Sequence, residues 1–313
     1  MLSRVAERIY WMARYLERVE NTARLINVHT ALLMDLPEHI ELDWFTLITI
    51  LDAEKLYAEK HDSDTEHNIM HFMLADTDYG SSLINSVAAV RENARTSLDV
   101  LPEEVWEQVN ELNLLVKSEL SSIGNRRRRQ KLLLTIMESC QCIWGMISNH
   151  MSRNFAYDFL QVAKYLERAD MTSRILELTS MLVSDKRSEA LGQNEGLFWA
   201  TLLRVINAQQ MYIQSNNSSL KAKKVLAFLI KDEVFPRSLN YSLKAVGHYL
   251  SYLPKGNELV AEQIALLESM QTYSNEKHPP ENIRPMMDAL QVKLTQLSGQ
   301  IISTWFHPDY SSK

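Results

Sequence analysis

The chain has 313 residues, 33 basic and 39 acidic, for a formal charge of −6, which repels a phosphate backbone at long range and argues against nucleic acid as a general partner. Gly and Pro number 8 each, below average usage of roughly 7% and 5%, so long helices joined by few turns are expected. No stretch reaches the roughly 18 apolar residues needed to span a bilayer, so no membrane partner is expected.

Met1-Leu2-Ser3-Arg4 runs directly into an amphipathic pattern, without the apolar stretch and small-residue cleavage site of a secretory signal. A cytoplasmic location is the expectation. On a helical wheel of the first long helix, Met12, Tyr15, Leu16, Val19, Ala23 and Ile26 share one side, which is expected to face a core. Arg14, Glu17, Arg18, Glu20, Asn21 and Arg24 fall on the opposite arc, at spacings that let neighbouring turns pair.

Further along, Leu36-Pro37, Asp62-Ser63-Asp64, Asp78-Tyr79-Gly80 and Leu101-Pro102 read as turns. His67 and His71 are four apart among acidic neighbours, a spacing that suits a metal on a helix and equally a polar surface loop; no metal is expected. Ser82 is placed to cap a helix N-terminus. Arg126 to Arg129 read as a solvated helix start, or else a surface for an acidic partner. Cys140 and Cys142 point about 200° apart on a helix and are expected to be free, buried thiols.

The second half repeats the first. Tyr165-Leu166-Glu167-Arg168-Ala169-Asp170 returns Tyr15-Leu16-Glu17-Arg18-Val19-Glu20, with Lys164 opposite Arg14 and Arg174 opposite Arg24. Trp44, Thr46, Leu47, Ala53 and Tyr57 find Trp199, Thr201, Leu202, Ala208 and Tyr212, with Asp52 facing Asn207. Phe72, Asp76, Ser82 and Ser86 find Phe228, Asp232, Ser238 and Ser242. The offset is 150 residues in the first block and 156 in the last, so the unit is about half the chain. Gly192, Phe235-Pro236, Leu253-Pro254 and His278-Pro279-Pro280 supply the later turns, and no run alternates like a strand. The expected fold is all-α, a multi-helix bundle of two duplicated halves, 1–150 and 151–313, sharing one helical domain.

The charged arcs admit two readings. Each is a solvated or internally paired face, or a binding site. The duplication bears on the choice, because Glu17/Glu167, Arg18/Arg168 and Arg24/Arg174 are identical while neighbours drifted. Guanidinium forks suit carboxylates and phosphates, and interleaved carboxylates accept from amines, so Arg14, Glu17, Arg18, Glu20, Arg24, Lys164, Glu167, Arg168, Asp170 and Arg174 are candidate ligand-binding residues. Arg237 and Ser238 join them, because an Arg beside a helix N-terminus attracts anions. Gly-rich phosphate loop, Gly-x-Ser-x-Gly elbow and Cys-x-x-Cys motifs are all lacking, so no cofactor is expected.

The stretch Tyr10-Trp11-Met12-Ala13-Arg14-Tyr15-Leu16-Glu17-Arg18-Val19-Glu20-Asn21-Thr22-Ala23-Arg24 resembles the bacterial alpha-E family, helical proteins named for a Glu-Arg motif. The resemblance extends through Arg91-Glu92-Asn93-Ala94-Arg95, Trp106, the Tyr165 to Asp170 stretch and Pro236-Arg237-Ser238. Tyr79-Gly80 stands where the family usually shows Asn-Pro, and Lys164 where Arg is common. What the resemblance implies is association with circularly permuted ATP-grasp proteins and transglutaminase-like proteins, in making or modifying a peptide or amide bond. The leading expectation is a helical partner of such a ligase that presents an anionic or amino-acid-like substrate at its Glu-Arg helices. A stand-alone enzyme with Glu17 or Glu167 as general base, and a purely structural scaffold, are the alternatives.

Overall fold

Scarce glycine and proline leave long stretches free to wind, and the computed structural model, which describes residues 3–35, 43–182, 195–216, 220–271 and 283–306, is helical with no strand among them. In chain order the helices are α1 (Ser3–Asp35), α2 (Thr46–Ile50), α3 (Glu54–Ala58), α4 (Glu66–Leu74), α5 (Leu83–Arg95), α6 (Glu103–Glu119) and α7 (Arg126–His150). Then come α8 (Phe155–Leu182), α9 (Glu195–Val205), α10 (Gln209–Asn216), α11 (Ala222–Lys231), α12 (Leu239–Leu250), α13 (Asn257–Gln271) and α14 (Ile283–Trp305). No helix among the described residues is long and apolar enough to cross a membrane. The turn signals Leu36-Pro37, Gly192 and His278-Pro279-Pro280 lie outside the described residues.

The two longest helices, α1 and α8, pack against each other at the centre. α5 and α7 flank α1 and are bridged by α6; α12 and α14 flank α8 and are bridged by α13. The short helices cross over, so that α2 packs on α8 and α9 packs on α1. Because α1 has neighbours all round, the solvated reading of its charged arc fails: Glu17, Glu20 and Arg24 are 0%, 1% and 2% exposed, as deeply sunk as Leu16 on the apolar side.

Local details of the first half recur in the second. Asp52 and Asn207 both adopt left-handed backbone, φ 52° and 55°, a region that Asp and Asn tolerate better than bulkier residues. Oδ1 of Asp76 accepts from the backbone N–H of Asp78 and Tyr79, and Oδ1 of Asp232 accepts from those of Val234 and Phe235. Phe72 stacks on Tyr79 and meets Tyr57 edge-on, while Phe228 stacks on Phe235 and meets Tyr212 edge-on. Ser82 and Ser238 cap α5 and α12 by accepting from the N–H of Asn85 and Tyr241, each satisfying a donor that helix geometry leaves free.

Three expectations need correction. Cys140 is buried but Cys142 is exposed, because residues two apart on α7 face different sides. His67 and His71 lie on α4 and not in a loop; both imidazoles are exposed. Of the Arg126 to Arg129 run only part is solvated, since Arg129 is 2% exposed, donates to the Ile123 carbonyl and pairs with Glu66. Asn125 caps α7 through the Arg128 N–H, which turns Arg129 inward beneath α4.

Candidate functional site

Packing α1 along α8 brings their charged arcs face to face. Glu167 receives Nε of Arg14 on one oxygen, and Arg18 embraces it with Nε at 2.7 Å and Nη2 at 3.2 Å. Conversely, Arg168 donates to both oxygens of Glu17, from Nε at 2.7 Å and Nη2 at 2.9 Å. Such parallel, charge-assisted pairs fix angle as well as distance. Each helix therefore neutralises the carboxylate of the other.

The cluster extends along both helices. Glu20 pairs with Arg24 at 2.6 Å and with Arg237, whose Nη1 also donates to Asn21 at 3.1 Å. Arg174 holds Asp170 at 3.0 Å and reaches across to the Ile50 carbonyl at 2.7 Å and Asp52 at 3.0 Å. Arg14 also donates to Tyr10 at 3.2 Å, tying the cluster to α14 through Ser298. Of the twelve residues singled out in the sequence, ten take part in these ion pairs, and Lys164 is held instead against aromatic rings. Ser238 is beside the cluster, with its hydroxyl committed to the cap of α12.

Burial alone would push Glu167 and Glu20 toward their neutral forms, but the opposing guanidinium charges prevail. Arg14 and Arg18 hold Glu167 at about 2, and Arg237 and Arg24 hold Glu20 at about 2. Arg168 and Arg174, penalised by burial, are nevertheless raised by Glu17 and by Asp170, respectively. A carboxylate so firmly ionised is a weak base at neutral pH, which counts against Glu167 as proton acceptor.

Lys164 behaves differently from Arg14, its counterpart in the sequence. Its Nζ lies 4.4 Å from the Trp144 ring centroid and 5.5 Å from that of Tyr165. Burial, aided by the positive charge of Arg168, pulls it down to about 8. Below that pH the ammonium persists in folded and unfolded chains, so its burial penalty is fully present at pH 7. As pH rises from 8 toward 10.5 the folded form releases the proton first and stability increases. Replacing Lys164 with Met is expected to stabilise the chain by about 1–2 kcal/mol at pH 7, the lost cation–π contact offsetting part of the relief. Urea titrations of both proteins at pH 7 and 10 check this; an unchanged or lower midpoint at pH 7 refutes it.

Between α1 and α8, on the side of the Tyr79 turn, lies a cavity of about 140 Å³. Arg18, Glu167, Asp170 and Arg174 line it together with Thr22, Leu51, Tyr79, Ser81 and Met171. Tyr79 and Ser81 were not among the residues expected at a site. Their signal in the sequence was faint: they sit in the turn that matches Phe235-Pro236-Arg237, where the residue types differ.

A family model described as a predicted alpha-helical domain with a conserved ER motif matches residues 1–306. Uncharacterized proteins of Mycobacterium bovis and of Mycobacterium tuberculosis strains CDC 1551 and H37Rv are each 21% identical over 316 residues. Those matches cover 95% of this chain and 35% of each relative, so the chain spans about a third of their length. No solved structure matches the chain.

Proposed function

We propose, from the premise that this chain belongs to the Alpha-E family, that it is a helical partner of an ATP-grasp-type ligase or a transglutaminase-like protein and presents an anionic or amino-acid-like substrate at its Glu-Arg helices. The observation that carries the ligand half of this reading is the juxtaposition of both charged arcs around one cavity whose walls offer guanidinium and carboxylate together. The ligase half draws on the family resemblance. Reaction at an amide or peptide bond, a cytoplasmic setting and the circularly permuted form of the ATP-grasp partner belong to the same reading.

We read the chain as two repeats, 1–150 and 151–313, of one helical domain. The reciprocal Glu17–Arg168 and Glu167–Arg18 pairs support this, as do the paired left-handed residues Asp52 and Asn207 and the matching aromatic triads. The scaffold reading keeps one specific support, because Glu17 and Glu167 have both oxygens engaged by arginine. Those two carboxylates serve as the clamp, and the ligand-facing duty falls to Arg18, Asp170 and Arg174.

The test is copurification of the tagged full chain from its native host. An ATP-grasp or transglutaminase-like protein, identified by mass spectrometry, is expected in stoichiometric amount. The purified pair is expected to release inorganic phosphate from ATP faster with an amino acid present than without. A chain that copurifies with neither overturns the partner assignment.

A further inference from the structure

The two ends of the charged cluster are built alike but filled differently. Around Arg168 and Thr172, the carbonyl of Arg237 accepts from Thr172 Oγ1, and the Arg237 guanidinium donates to Glu20 and Asn21 and lies 4.0 Å from Glu17. Around Arg18 and Thr22, the residue in the matching place is Ser81, with Asp170, Met171 and Glu167 in place of Glu20, Asn21 and Glu17. A serine side chain is too short to reach where the guanidinium of Arg237 reaches. The cavity is the room that a built-in guanidinium takes up at the other end.

Which chemistry fits it follows from the valences left over. Arg18 uses Nε and Nη2 on Glu167, and Arg174 uses Nε and Nη1 on Asp170, Ile50 and Asp52, which leaves Nη1 of the first and Nη2 of the second for an acceptor. Asp170 gives Oδ2 to Arg174 and keeps Oδ1 for a donor. Arg14, Arg18 and Arg174 are matched by Glu167, Asp170 and Asp52, so a ligand of either single sign disturbs a balanced site, whereas a dipolar one does not. Where the other end has Asn21 hydrogen-bonded to its guanidinium, this end has Met171, beside Leu51, an apolar wall suited to an alkyl group. The volume of about 140 Å³ is close to that of an engineered cavity of roughly 150 Å³ that takes up benzene, a molecule of about the bulk of a small amino acid.

We propose that this cavity is a binding site for a free α-amino acid with a small side chain, its carboxylate on Arg18 and Arg174 and its ammonium on Asp170, in the place that Arg237 fills at the opposite end. This deepens the ligand half of the reading above and rests on it. The far end of the cluster is occupied by the chain's own cation, so the cluster takes one amino acid per chain.

Titration calorimetry of the full chain with glycine, L-alanine and L-serine tests it. Saturable binding of at least one, with one molecule per chain, is expected. N-acetyl-L-alanine and L-alaninamide, each lacking one of the two charges, are expected to bind at least tenfold more weakly than L-alanine. The S81R variant, which rebuilds the Arg237 arrangement, is expected to abolish binding while melting at or above the temperature of the parent. Failure of all three amino acids to bind, equal binding of the amide, or binding that survives in a folded S81R chain overturns the proposal. Loss of amino-acid binding leaves copurification with a ligase standing, and absence of a ligase leaves amino-acid binding standing, so the two readings fail separately.

Discussion

Changing Arg168 to Met is expected to destabilise the chain by about 3–5 kcal/mol, because it strands the fully buried Glu17 carboxylate without its two-pronged partner. Much of that loss belongs to the orphaned charge and not to the pair itself. The double variant Glu17→Leu/Arg168→Met, which replaces both ends with apolar bulk, is therefore expected to recover most of the stability. Comparing urea midpoints of the parent, the single and the double variant decides the matter. A single variant within 1 kcal/mol of the parent shows that water reaches Glu17 and that the α1–α8 interface is looser than described.

Acid is expected to unfold the protein through the same cluster. Glu167 and Glu20 are each held near 2 in the folded chain against 4.5 as the ordinary value. Above 4.5 both are ionised in either state and their stabilising effect is fully present. As pH falls from 4.5 toward 2 the unfolded chain takes up protons that the folded chain refuses, and stability drops. Both lie in one ionic cluster, so the loss belongs to the cluster and is not the sum of two independent carboxylates. The expected measurement is a steep fall in melting temperature between pH 4.5 and 3, with a shallower slope in Glu167→Gln. Parallel slopes for parent and variant exclude Glu167 as a source of the acid sensitivity.

Much of this architecture was legible in the residues. Low glycine and proline announced long helices, Ser82 announced a cap, and the wheel of the first long helix separated apolar from charged arcs correctly. The wheel left open where the charged arc goes. Amphipathicity tells which side of a helix differs from the other, and both sides become interior when a second helix brings the complementary charge. The identity of Glu17/Glu167 and Arg18/Arg168 was the better guide, since exposed positions tolerate exchange of charge type and these were kept.

The cavity was harder to see for a physical reason. It depends on what Ser81 fails to fill, and a void is a relation among Arg18, Asp170, Tyr79 and Ser81 that no local pattern encodes. Only the comparison of Ser81 with Arg237 at matching places, once the helices are packed, makes the missing side chain apparent. Arg129 shows the same limit in miniature, for nothing in four consecutive arginines says that the last of them turns under α4 to meet Glu66.

The cross-pairing of α1 with α8 has a bearing on how the molecule is born. A chain emerging from the ribosome exposes Arg14, Glu17 and Arg18 well over a hundred residues before Glu167 and Arg168 are made. Until then Glu17 and Arg18 lack their opposite numbers, although α5 and α7, made earlier, can already cover the apolar side of α1. Those early charges are obliged to wait for the later helix, whose arrival quenches them.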